Sequence, residues 1–314
     1  METELKKRIN DLCEGNVAFD VPMSKHTSMR VGGPADCLAF PPSVRHLALL
    51  VKFLSERGIP FFPGGNWSNV IVRDGGFRGV LIGLNRLQGI RPLPEREGMG
   101  FYVEAGVSLK KLVHLTAEAG MTGLEFAAGI PGSVGGAIKM NAGAWGKEMK
   151  DVLGAVTLID GRGRSIEVPA REMPFSYRAL RLKDSEVIAQ ASFVLAPGER
   201  EQIFRRIGEI LQERKARHPL EYPSAGSIFK NPLSRPAGRL IEEAGLKGRQ
   251  VGGARVSEKH ANFIVNTGTA TASDVIKLIN IVRREVEKTH GISLETEVVI
   301  IGEGAQQEED FEHI

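Results

Sequence analysis

The sequence predicts an α+β protein in two domains, on three observations. At 314 residues the chain is long enough to bury two ordinary cores. With 42% hydrophobic and 25% charged residues its composition matches soluble globular domains. Helix-period and strand-like segments alternate along its length, and Pro197-Gly198 breaks them ahead of a long amphipathic segment.

Taken in order, residues 3 to 13 predict a short helix, and Val21 to Pro34 an irregular loop carrying Ser24, His26, Thr27, Ser28 and Arg30 before Gly32-Gly33-Pro34. A strand at Ala35 to Phe40 leads into a helix from Ser43, whose Val44, Leu47, Val51 and Leu54 keep the 3.6-residue period, and Gly58 ends it. Pro60 to Pro63 is strand-like. Gly64-Gly65-Asn66-Trp67-Ser68-Asn69 is a loop of small and polar residues running into Val70-Ile71-Val72. After the turn Asp74-Gly75-Gly76 come strands near 80–84, 89–93 and 101–105. Ser108 then caps a helix bearing Leu109, Leu112, Val113 and Thr116, which stops at Gly120.

Residues 129 to 146 hold six glycines in eighteen positions, so the backbone there is built for close approach. Successive exposed peptide N–H groups in such turns form a concavity suited to phosphate oxygens. A hairpin follows, 152–159 with 165–168 across Asp160-Gly161-Arg162-Gly163, then a strand at 187–195. Past Pro197-Gly198 a helix places Ile203, Ile207, Ile210 and Leu211 on its core face and Arg214, Lys215 and Arg217 in its last turn, where cations suit the dipole. Tyr222 to Pro232, bounded by prolines and rich in polar side chains, reads as a binding loop. A helix at 238–244, strands at 248–256 and 262–265, and a helix opened by Thr271-x-x-Asp274 come next. The last strand, 293–301, carries Glu295 and Glu297 on one face.

Composition and motifs exclude several classes. A formal charge of +3 with acidic and basic residues interspersed argues against a nucleic-acid groove, while anionic small molecules remain candidates. Cys13 and Cys37 fit no disulfide framework, and the seven His residues have no metal-ligand spacing, so no metal site is expected. The charged start and the lack of a long apolar run predict neither signal peptide nor membrane anchor. There is no Walker loop, no Gly-x-Gly-x-x-Gly and no nucleophile elbow. Two phosphate-type loops without a strong acid/base set suggest that a bound cofactor supplies the reactivity.

Six segments in order carry a resemblance. Arg30-Val-Gly-Gly-Pro-Ala35, Asn69 to Gly76, Gly129 to Ala144, Phe175-Ser-Tyr-Arg178, Pro223 to Pro232 and Leu294-Glu-Thr-Glu-Val298 closely resemble the UDP-N-acetylenolpyruvoylglucosamine reductase (MurB) family, in the shorter of its two types, without an inserted tyrosine loop. The resemblance runs from about residue 20 to residue 302 and implies a two-lobed FAD-binding domain of the vanillyl-alcohol-oxidase and p-cresol-methylhydroxylase type, plus a C-terminal α+β substrate-binding domain. It places a lead-in at 1–23, the FAD domain at 24–197, the substrate domain at 198–303 and a polar tail at 304–314. The implied activity is reduction of UDP-N-acetylglucosamine enolpyruvate to UDP-N-acetylmuramate through non-covalent FAD, with NADPH as reductant, in the bacterial cytoplasm. No nucleic acid, membrane or obligate protein partner is implied. Another non-covalent flavin oxidoreductase of the same fold, or a non-catalytic UDP-sugar binder, stands as the alternative.

The resemblance also implies residue roles. Ser227 matches the family's proton donor, Arg178 its active-site arginine and Glu297 its active-site glutamate. FAD contacts are implied for Gly65, Asn66, Ser68 and Asn69, and for Gly129, Ile130, Pro131, Ser133, Gly135, Gly136, Asn141, Ala142 and Gly143. Tyr177, Arg217, Lys230 and Asn231 match substrate-binding positions, Arg217 standing where a lysine is usual. Serine is a weak acid alone, so a cation such as Lys230 or Arg178, or an ordered water, is expected beside Ser227. Trp67, Leu180, Leu182 and His218 depart from common family residues, and Trp67 resists the positive φ that a glycine there would allow.

Overall fold

The computed structural model describes residues 1–304; the end of the predicted polar tail lies outside them. Contacts divide the chain into two compact units. The first comprises Met1–Ala18, Cys37–Asn66 and Gly79–Arg214; the second comprises Phe19–Asp36, Trp67–Arg78 and the described part of Lys215–Ile314. The Pro197-Gly198 break lies inside unit one. The helix Arg200–Arg217 spans its end.

Unit one is built on a six-stranded sheet. Its main path runs Ser165–Pro169, Leu153–Ile159, Val187–Pro197, Met99–Glu104 and Ile90–Pro92, with Met121–Thr122 pairing the end of the long strand. The hairpin expected across Asp160 forms, and its turn is locked by that carboxylate, which accepts from the backbone N–H groups of Arg162 and Arg164, each at 2.9 Å. Two helices pack here as their apolar period requires. Val44–Glu56 buries Leu47, Leu50, Val51, Phe53 and Leu54, and Leu109–Glu118 buries Leu109, Leu112 and Val113. Ser43 and Ser108 cap them by accepting from His46 N and Lys111 N.

Unit two is a four-stranded antiparallel sheet in the order Ser224–Ser227, Phe263–Asn266, Ala254–Val256, Gln250–Val251. The helices Ala237–Glu243 and Ala272–His290 bury Leu240, Ile241, Val275, Leu278, Ile279, Val282 and Val286 into one core with Ile228, Phe229 and Ile264. The long helix opens with the reciprocal Thr271/Asp274 box and ends at Gly291, at φ +67°. Val70–Val72 and Val299–Ile301 pair in parallel within this unit.

Five local expectations are revised. Residues 129–146 are not wholly turn: Val134–Lys139 is helical, capped by Ser133, because Val134, Ala137 and Ile138 bury at helical spacing. Leu211 is exposed at 46%, since only Ile203 and Ile210 of its helix are fully buried. The segment 248–256 is two strands folded at Gly252-Gly253 rather than one. The Tyr222–Pro232 loop contains the strand Ser224–Ser227. Residues 293–298 form no regular strand, only one bridge between Thr296 and Phe229, and the regular strand begins at Val299.

Candidate active site

In unit one the two glycine-rich stretches meet. A Cβ on Gly65 would overlap Ser133 Oγ, so glycine at 65 is what lets the first loop lie against the cap of Val134–Lys139. Gly135 is similarly close to Ala105, its Cβ position lying 2.8 Å from that methyl. Gly136 has more room, with Ser133 Oγ 3.6 Å from its Cβ position.

Asn141 ties this stretch to the arginine hairpin. Fully buried and at φ +40°, it donates through Nδ2 to Glu148 Oε2 and to Ser176 O, both at 3.0 Å, and accepts from Lys150 N at 3.1 Å. Its side chain is thus occupied by the protein, and its backbone N–H donates to Ile138 O at 2.9 Å. Ser176 belongs to the tight hairpin Phe175–Ser176 with Ala179–Leu180, whose turn is Tyr177-Arg178. Arg178 takes a left-handed φ of +56°, and its Nη1 lies 3.0 Å from the Cβ position of Gly143. Tyr177 is 45% exposed, with the guanidinium of Arg178 5.2 Å from its ring centre.

Arg214 is the residue the sequence reading placed only at a helix end. It packs its Cδ against Gly129, 2.7 Å from that residue's Cβ position, and sets its guanidinium 5.0 Å from the Trp145 ring centre. Its Nε is buried without a hydrogen-bond partner among the described residues. Burial first, and then the charge of Arg178, pull its pKa down to about 10. Two neighbouring cations, one with an unmet donor, make a place for an anion. The signal was in the sequence: Arg214 continues the 203, 207, 210 stripe, a charge where the helix period calls for an apolar residue.

Unit two gathers Ser227, Glu297, Lys230, Asn231, Asn69 and Arg217. Ser227 ends its strand opposite Phe263, one residue after Gly226 at φ +77°. Glu297 N donates to Ile228 O at 2.7 Å, which brings the glutamate alongside the residue after Ser227. Asn69 Nδ2 donates to Glu297 O at 3.1 Å, so Asn69 supports this glutamate. The Lys230 ammonium pairs with Glu295, and Asn231 Oδ1 accepts from Ala237 N at 2.9 Å, holding the start of the next helix. Arg217 is exposed at the end of its helix. Trp67 is 5% exposed at φ +50°: burial holds it in the left-handed region despite its bulk.

Ser227 and Glu297 are therefore adjacent within unit two, and Arg178 lies in unit one beside Gly143 and Arg214. Ile130 and Pro131 lie in the connection before the Ser133 cap, and Ala142 N donates to Ala137 O at 2.8 Å, ending the short helix.

Comparison with known proteins decides what these units are. A model of an FAD binding domain matches residues 35–169, and one of the UDP-N-acetylenolpyruvoylglucosamine reductase C-terminal domain matches residues 218–301. The UDP-N-acetylenolpyruvoylglucosamine reductase of Syntrophus aciditrophicus is 50% identical over 300 residues, covering 95% of this chain and 96% of the relative. The chain belongs to the UDP-N-acetylenolpyruvoylglucosamine reductase family. The enzyme of that name from Carboxydothermus hydrogenoformans is 46% identical over 96% of this chain and 98% of its own length. The crystal structure of the family's Thermus caldophilus member superposes with a TM-score of 0.76 at 37% identity, covering 90% of this chain and 98% of that one. The fold is thus an FAD-binding domain followed by the family's C-terminal domain, built from helices and strands. Every glycine, serine and asparagine assigned to FAD falls within 35–169, whereas Ser227, Lys230, Asn231 and Glu297 fall within 218–301. The bare Arg214 donor and the glycine-lined approach of the two loops fit a dinucleotide with a diphosphate. Among the described residues no helix is long and apolar enough to cross a membrane.

Proposed function

We propose that the protein is an NADPH-dependent flavoenzyme of the bacterial cytoplasm that reduces UDP-N-acetylglucosamine enolpyruvate to UDP-N-acetylmuramate, the reaction of its family in peptidoglycan precursor synthesis. The observation that carries the reading is the family match over 95% of the chain, with the residues assigned to FAD in one domain model and Ser227 and Glu297 in the other. FAD held there would supply the hydride chemistry that links NADPH to the methylene carbon of the enolpyruvyl group.

The chain's own residues do the rest. Hydride addition leaves negative charge on the adjacent carbon and its carboxylate, which the Arg178 guanidinium stabilises. Ser227 Oγ delivers the proton to that carbon, and Glu297, fixed through Ile228 O and Asn69, holds a carboxylate beside the donor strand. Lys230, one of the cations considered beside Ser227, pairs with Glu295. Gly65, Asn66, Ser68 and Asn69, with Gly129, Ile130, Pro131, Ser133, Gly135, Gly136, Asn141, Ala142 and Gly143, would hold FAD, while Tyr177, Arg217, Lys230 and Asn231 would hold the nucleotide sugar.

The test is spectroscopic. The purified protein is expected to be yellow, to bleach with NADPH, and to regain its colour anaerobically when the enolpyruvyl sugar is added. A flavin-free protein that cannot be reconstituted sinks the reading. With Ser227→Ala, reoxidation by substrate is expected to fall about 100- to 10,000-fold while bleaching by NADPH persists.

A further inference from the structure

The strand bearing the proton donor ends at Ser227, yet the chain beyond it stays held. Ile228 N donates to Asn262 O at 2.8 Å. At the next residue the side chain of Asn262 takes over from the backbone ladder: Oδ1 accepts from Phe229 N at 2.9 Å and Nδ2 donates to Phe229 O at 2.8 Å. The amide thereby satisfies both peptide groups of a residue that is 1% exposed, and is itself only 4% exposed. Asn262 is fixed in turn, its own N–H donating to His260 Nδ1 at 3.2 Å. On the other side Glu297 N reaches Ile228 O and Lys230 N reaches Glu295 O at 2.9 Å. The three residues after Ser227 therefore lie between a side-chain amide and the glutamate segment.

We propose that Asn262 is a positioning residue for the proton transfer: its carboxamide continues the pairing to Phe229, two residues past Ser227, and so fixes both the Ser227 hydroxyl and the approach of Glu297. The inference rests on the reading of Ser227 as proton donor. The physical reason is leverage. Ser227 adjoins the clamped residues, and an error of about 1 Å in a reacting group can cost on the order of 100-fold in rate. An apolar residue at 262 would leave two buried peptide groups of Phe229 unpaired, and the segment would shift to find other partners. The balance of the step is unaltered: the proton leaves Ser227 Oγ for the carbon next to the one that receives the hydride, and Asn262 neither gains nor loses a proton.

The experiment uses the FAD-loaded full chain in anaerobic stopped flow, with Asn262→Asp, Asn262→Ser, Ser227→Ala and each double variant. Asn262→Asp keeps the acceptor for Phe229 N and loses the donor to Phe229 O; Asn262→Ser is the smaller alternative. Expected for either is about 30-fold slower flavin reoxidation by the enolpyruvyl sugar, flavin reduction by NADPH within about 2-fold, and substrate affinity within about 3-fold. In the Ser227→Ala background the same substitution is expected to add less than about 3-fold, because a positioner has nothing left to position. Full multiplication of the two losses overturns the proposal, as does an unchanged reoxidation rate. So does a parallel fall of both half-reactions, or loss of bound flavin, in both variants; these would make Asn262 a purely structural residue. Unchanged reoxidation in Ser227→Ala alone sinks the proton-donor reading instead, which keeps the two failures apart.

Discussion

Unit one and unit two differ in how they hold the backbone around their site residues. In unit one Asn141, Trp145 and Arg178 sit in left-handed backbone without being glycine, and Arg214 carries a buried, unpartnered donor beside a second cation. In unit two the residues after Ser227 have their backbone paired on both sides, by Asn262 and by the 295–297 segment. The first arrangement costs stability that a bound anion would return, each left-handed non-glycine residue costing on the order of 1–3 kcal/mol. The second pairs its backbone without a ligand, although unit two also holds Trp67 in left-handed backbone and a buried Arg255 Nε with no partner among the described residues. The difference suits the work: one surface must take up a diphosphate tightly, and the other must keep a hydroxyl in place while substrates come and go.

The sharpest way to break the comparison is at Gly65. Gly65→Ala forces a methyl onto Ser133 Oγ, so the two loops must part; FAD affinity is expected to fall about 100-fold, read by flavin released on dilution. Adding Ser133→Gly should recover part of that loss. Full recovery of flavin binding is not expected, since Ser133 also caps the helix Val134–Lys139. An unchanged dissociation constant in Gly65→Ala would mean that the contact between the loops is irrelevant to the cofactor.

Arg214→Met tests the cost of the bare donor. The apoprotein is expected to gain about 1 kcal/mol in unfolding free energy, because an unsatisfied buried polar group costs about 1–3 kcal/mol, while flavin affinity drops about 10-fold. Urea melts of the apoprotein and flavin titration read the two arms. If flavin affinity holds and the substrate KM rises instead, Arg214 serves the substrate rather than the cofactor.

The smallest effect is expected in unit two. Burial, partly opposed by a backbone hydrogen bond, holds the His260 imidazole below its usual range, and its ring packs against His218 and Phe263 at 5.7 and 5.0 Å between centroids. A histidine whose pKa is lowered on folding stabilises the protein above its ordinary value near 6.5, and that contribution is lost as pH falls below it. Melting temperature should decline from pH 7 toward pH 5 by a few degrees, and His260→Gln should flatten that slope. An identical acid slope in the variant would assign the loss to the carboxylates of the protein.

Much of this architecture was legible because its signals are local. Ser43, Ser108 and Thr271 announce helix starts through the hydrogen bond a hydroxyl can make three residues on, and Asp160-Gly161-Arg162-Gly163 encodes its own turn. The motif resemblance located Ser227 and Glu297, and the fold placed them one residue pair apart. Other features were hidden because they depend on distant partners. Nothing near Thr296 says that its segment will make a single bridge to Phe229 instead of a full strand, and nothing near Asn262 says that its amide will pair with Phe229. Arg214 lies between the two cases: its place on an apolar stripe was visible, but the absence of any partner for its Nε was not.

By itself the sequence determined most of the helices and strands and which family the order of motifs belongs to. Tertiary structure alone decided which buried polar groups are satisfied and by whom. A side chain's hydrogen-bond partner is set by residues far away in the chain, and the cost of lacking one exists only once water has been excluded. That is why Asn141, in a glycine-rich stretch by sequence, and Asn262, at the start of a predicted strand, became internal ties, while Arg214 became a donor left open.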